Sequence, residues 1–158
     1  MILIAYDGSA DALAAIERAG ELMSGEQATV LTVWEPVLDL MARVGNAMAM
    51  ADVDFDRIDR ATEERARQQA DDGAERARKA GLDAGPRVRV RRTSIGETIL
   101  EEADDLAARA IVVGTRGLTG IKSLLLGSVS HALLQHADRP VTVVPSAEVA
   151  AARAARRR

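Results

Sequence analysis

Residues 110–131 read AIVVGTRGLTGIKSLLLGSVSH, and this stretch decides how the rest of the chain is understood. Ile111-Val112-Val113 is a short, β-branched apolar run, the pattern of a parallel strand covered on both faces. Gly114 leaves that strand, and Gly117, Gly127 and Ser128 follow with the spacing G-x2-G-x9-G-S. Glycine at a strand exit allows backbone conformations that other residues avoid and lets a ligand reach the main chain without meeting a Cβ. From Ser128 to about His136 the sequence reads as a helix. Its first turn would offer unpaired N–H groups and the positive end of a dipole, a site suited to phosphate. Strand, glycine loop and helix start together predict a phosphate cradle.

Outward from this stretch the chain alternates strand and helix. Ile2–Tyr6 is a candidate first strand turned by Asp7-Gly8-Ser9, with Ser9 as an N-cap and Leu13, Ile16, Gly20 and Met23 at helical spacing after it. Ala28–Trp34 is a second strand, stopped before Pro36. Residues 35–51 lack steady periodicity and hold Met41, Met48 and Met50. They read as a surface connection with a short helix, or as a cover over a ligand site. Asp52–Gly81 is a charged, alanine-rich helix with Ile58, Ala66, Ala70, Ala74 and Ala77 as its inward face, ended by Gly81 and Gly85-Pro86. Arg87–Arg92 alternates charged and apolar residues, the pattern of an edge strand whose arginines guard against mispairing. Ser94-x-x-Glu97 is a capping box opening a helix through Ile99, Leu100, Ala103 and Leu106. Val141–Val144 is a last strand. Five strands with alternating helices imply a three-layer α/β domain with a parallel sheet and right-handed crossovers.

Three segments carry a family resemblance: Gly114, Gly117, Gly127 and Ser128 in their spacing, the Ile2–Ser9 strand and its Asp-Gly-Ser exit, and the Arg139–Pro145 strand. Together they resemble the universal stress protein family, and specifically its ATP-binding members, over roughly residues 1–145. The resemblance implies a Rossmann-like fold of the adenine-nucleotide alpha-hydrolase type, with strand order 3-2-1-4-5. It implies one domain over 1–146, with 147–158 as an Ala/Arg-rich tail. Ligands of open parallel sheets sit where strand order reverses. Here that point lies between the first and fourth strands, so Asp7 and Gly114 would face one crevice.

For ATP, the N–H groups of Gly117, Gly127, Ser128 and Val129 would meet phosphates, with the Ser128 and Ser130 hydroxyls as further donors. Arg116 would supply positive charge, and Asp7 would meet ribose or a magnesium ion. The resemblance places adenine near Val33 and Val113. It also makes Pro140–Pro145 an edge that pairs with its copy in a homodimer, which would shield an otherwise bare apolar edge. The plainer readings are a tight turn for Gly114 and Gly117 and an ordinary N-cap for Ser128.

Composition bounds the alternatives. The chain has 158 residues, no cysteine and 2% aromatic content, so thiolate chemistry is excluded and the core must be built from Ala, Val, Leu and Ile. Net charge is −3, and without the four tail arginines the body carries 17 basic against 24 acidic residues. That balance argues against a general nucleic-acid surface. The tail reads as a frayed, solvated end. No apolar run approaches a membrane span, and a cytoplasmic location is the expectation. Gly120-Ile121-Lys122-Ser123 echoes a Walker loop but lacks its spacing. His131 and His136 point about 140° apart on a helix and cannot share a metal. Apart from Asp7 no carboxylate lies near the cradle by sequence, so the expectation is nucleotide binding with slow or no hydrolysis. The alternative is a non-nucleotide dimeric interaction protein of the same fold.

Overall fold

The computed structural model describes residues 1–44, 54–118 and 126–155. Part of the methionine-containing connection (Gly45, Met48 and Met50) and the Gly120–Ser123 stretch lie outside the described residues. The chain runs β1 (Ile2–Ala5), α1 (Ala10–Leu22), β2 (Gln27–Trp34), α2 (Val37–Val44), α3 (Phe55–Lys79), β3 (Asp83–Val90), α4 (Ile95–Asp105), β4 (Ile111–Gly114), α5 (Ser128–His136), β5 (Val141–Val144) and α6 (Ala147–Ala155). All four strand pairings are parallel, in the order β3-β2-β1-β4-β5. The expected topology is therefore observed.

Strand alternation splits the core into two layers. Ile2, Ile4, Val30 and Val112 face the alanine stripes of α1 and α3. Leu3, Leu31, Ile111 and Val113 face Ile99 and Ala103 of α4 and Leu133 of α5. Small helix residues let helices sit close to the sheet, which is how a core almost without aromatics is filled. Gly73 shows the tolerance: a Cβ there would lie 2.6 Å from the Tyr6 ring. Ser9 caps α1 through Ala12 N–H, as its position suggests, and Ser94 caps α4 through Glu97 N–H.

Four expectations need correction. Gly85 and Pro86 do not end a helix; they lie inside β3, which begins at Asp83. Pro is tolerated there because β3 is an edge strand, and alternation along the ladder turns the missing N–H of residue 86 outward, as Arg91 N–H donates inward to Trp34 O. Ile58 is not part of the inward face of α3 but is 39% exposed. The arginines of β3 are not simply solvated. Arg87 and Arg89 both pair with Glu102, which is 1% exposed, and Arg91 pairs with Glu35. Finally, residues 147–155 form a helix rather than a frayed end, with Val149 buried, while residues 151–155 stay exposed apart from the half-buried Arg153.

Candidate functional site

The β1/β4 pairing, Leu3 opposite Ile111 and Ile4 opposite Val112, sends the exits of both strands out of the same end of the sheet. Gly8 adopts φ +79°, a conformation that glycine reaches without strain, and this turns the chain from β1 into α1. The turn leaves Asp7 bridging two loops. One carboxylate oxygen accepts from Ser9 N–H at 3.0 Å, and the other accepts from Leu118 N–H at 3.0 Å. Asp7 thus joins the β1 exit to the glycine loop directly, and the two motifs read from sequence meet in space.

None of the three glycines of the spacing motif has positive φ, so the question at each is room for a side chain. At Gly114 a Cβ would lie 2.6–2.8 Å from the Asp11 and Ala12 backbone, where α1 packs against β4. At Gly117 it would lie 2.5 Å from the Asp7 carboxylate. At Gly127 the nearest atoms, Arg116 Cα and Thr115 O, are 3.4 Å away, so the protein itself barely opposes a side chain there. Packing explains Gly114, the Asp7 bridge explains Gly117, and nothing among the described residues requires glycine at 127.

The β4 loop is stitched to the start of α5. Gly127 N–H donates to Thr115 O at 2.7 Å, and the Ser130 hydroxyl donates to Thr115 O at 2.9 Å and Gly127 O at 3.0 Å. Gly127, not Ser128, is the N-cap, and it makes no side-chain cap bond. The first-turn N–H groups of Ser128, Val129 and Ser130 have no partner among the described residues, as expected of a helix start. The Gly117 N–H is likewise unpartnered among them, and its nitrogen lies 3.8 Å from where a Gly127 Cβ would sit. Four N–H groups without partners among the described residues therefore lie where the loop meets the helix.

Three of the residues read as ligand contacts are committed elsewhere. The N–H of Gly127 and the hydroxyl of Ser130 hold the loop to α5. The Arg116 side chain lies 3.7 Å from the Asp11 carboxylate and is 17% exposed, so its charge is paired within the protein. Val33 is half-buried near the end of β2, and Val113 is buried in β4 on the same side of the sheet.

Asp11 is the residue that sequence reasoning missed. It was legible only as an acid in a first helical turn. In the fold it is 5% exposed, and it accepts from the Thr115 hydroxyl and from Arg116 N–H at 3.2 Å. Burial pushes its pKa up. Hydrogen bonding from Ser146 and Thr115, with the Arg116 charge, outweighs that and holds it below the ordinary value of 3.8.

An open parallel sheet with its strand reversal at β1/β4 defines a doubly wound α/β protein, and the N–H groups without partners among the described residues lie at that reversal point. The chain belongs to the universal stress protein family, whose model matches residues 1–145. A universal stress protein from Thermus aquaticus is 34% identical over 90% of this chain and 96% of its own length. The fold is also that of universal stress protein UspA from Lactobacillus plantarum, with a TM-score of 0.69 at 18% identity over 90% and 95% of the two chains. The universal stress protein from Archaeoglobus fulgidus, solved in complex with dAMP, has a TM-score of 0.57 at 23% identity over 90% and 95%.

Proposed function

We propose that this chain is an ATP-binding universal stress protein whose nucleotide lies in the β1/β4 crevice with its phosphates on the glycine loop and the start of α5. The observation that carries this reading is that the Gly117, Ser128, Val129 and Ser130 N–H groups lie beside Gly127 without partners among the described residues, and no described residue requires glycine there. Space for a close ligand approach explains it. The dAMP complex of the Archaeoglobus fulgidus relative, the AMP-bound relative from Arabidopsis thaliana and a relative solved with cAMP support an adenine nucleotide as the ligand class. Gly114 shapes the crevice wall, Asp7 stands at the ribose side, and Val33 and Val113 lie where adenine would rest on apolar side chains.

The residues fit ATP with or without magnesium. Asp7 retains lone pairs beyond its two N–H bonds and is the one carboxylate suited to a metal. Magnesium held there would take most of its ligands from phosphates and water and would neutralise phosphate charge. The buried Asp11 carboxylate is spent on hydroxyl and backbone donors, and Asp7 is tied to two loop N–H groups and assigned to ribose or magnesium, so slow hydrolysis is the expected behaviour. Calorimetry with ATP should give a micromolar Kd, and protein purified then denatured should release adenine nucleotide. Silence in calorimetry at millimolar ATP, with no thermal shift, rejects the reading.

A homodimer through β5 follows from the same sheet. Ile111 N–H donates to Pro140 O and Thr115 N–H to Val144 O, so the backbone groups of Val141 and Val143 face outward. The opposite edge is blocked by Pro86 and by the Arg78 guanidinium, which donates to Ala84 O at 2.8 Å. Light scattering should show a dimer at tens of micromolar protein; a stable monomer rejects this arrangement.

A further inference from the structure

Asp11 ties the start of α1 to the loop that leaves β4. Its carboxylate receives the Thr115 hydroxyl and the Arg116 N–H, both within the loop between Gly114 and Gly117. The Arg116 side chain lies 3.7 Å from the same carboxylate oxygen. Asp11 also lies in the first turn of α1, where the helix end favours an anion. Burying a carboxylate is costly unless its lone pairs are satisfied, and a neutral joint would close this packing at lower cost. What the carboxylate adds is several directed bonds from one atom group, fixing the β4 exit to one helix end.

We propose that Asp11 is a positioning residue for the nucleotide loop, setting the Thr115–Gly117 backbone from which the Gly117 N–H is presented. The proposal rests on the nucleotide reading above. Asp11 does not touch the ligand; it acts through Thr115 and Arg116.

The test is hydrogen exchange on the full-length protein with and without ATP, in wild type and Asp11→Asn. The amide keeps the shape of the side chain but loses its charge and one acceptor. Amides of residues 115–118 should exchange at least tenfold faster in the apo variant, with those of Ile4 and Val30 unchanged. ATP affinity should fall at least tenfold. ATP should slow exchange at 115–118 in wild type. Thr115→Ser should behave as wild type, while Thr115→Val should reproduce part of the loss.

Equal loop exchange and equal affinity in Asp11→Asn overturns the proposal. So does faster exchange spread evenly over the core, which marks a merely structural residue. If Asp11→Asn does not fold, Thr115→Val decides, and wild-type loop exchange there overturns it. Wild-type protein that ignores ATP defeats the nucleotide reading alone, since the apo contrast still tests positioning.

Discussion

The β1/β4 strand exits and the groove beside β3 are built in different ways. The groove has a volume of about 590 Å³ and is lined by Trp34, Arg67 and residues 86–90, among others. Its arginines are already paired: Arg67 with Glu63, Arg87 with Glu102, and Arg89 with Glu102 and Asp105. The crevice shows the reverse pattern. Its acids and its arginine are locked into the scaffold, and what stays uncommitted among the described residues is a set of backbone N–H groups. Size marks a concavity, whereas unspent donors held on a rigid frame mark a binding site.

Glycines offer the sharpest way to break this comparison, because each wall has one whose surroundings are known. Gly114→Ala places a Cβ within 2.8 Å of α1 backbone, which cannot move without the helix. Overpacking of this kind costs about 3 kcal/mol at the upper end of the usual range, and urea denaturation should show it as a lower midpoint. Gly117→Val meets only the end of the Asp7 side chain, so the fold should survive while the Asp7–Leu118 bridge breaks. ATP affinity should then fall at least tenfold, about 1.4 kcal/mol, by calorimetry. Arg67→Ala in the groove wall should leave that affinity unchanged. If the two variants change affinity alike, the crevice is not the site.

The buried acid of the crevice gives a smaller, pH-dependent signal. With its folded pKa below the unfolded one, Asp11 contributes stability that is fully present above the unfolded value and is lost as pH falls through the folded value. Chemical denaturation should therefore show a wild-type advantage over Asp11→Asn at pH 7 that narrows only below about pH 4. A gap constant from pH 7 to pH 3 contradicts this. The smallest effect belongs to the groove. A Cβ at Gly85 meets nothing within 4 Å, and its φ is not positive, so Gly85→Ala should stabilise by about 0.5 kcal/mol. Thermal melting checks the sign.

The architecture was legible because its signals are local. Alternating strand and helix patterns, the Ser9 and Ser94 caps and the glycine spacing each lie within a short window, and each survives in the structure. The errors arose where partners are far apart or where one residue type serves two roles. Asp11 meets Thr115 across 104 positions, and no pattern near Asp11 announces that contact. Arg87 and Arg89 face Glu102 only because of the β3 register against α4. Gly85-Pro86 reads as a turn by residue type, and only its edge position makes it a strand. Arg116 beside a phosphate loop suggests a ligand contact, but the buried Asp11 claims it first.

The central claim is that phosphate oxygens of an adenine nucleotide rest on the N–H groups of the glycine loop and the first turn of α5. Titrating isotope-labelled protein with ATP and following backbone amide resonances tests this residue by residue. The Gly117, Ser128, Val129 and Ser130 amides should move furthest and saturate together, while Val88 and Val90 in the groove stay still. Saturable shifts centred on β3, or none at the start of α5, would contradict it.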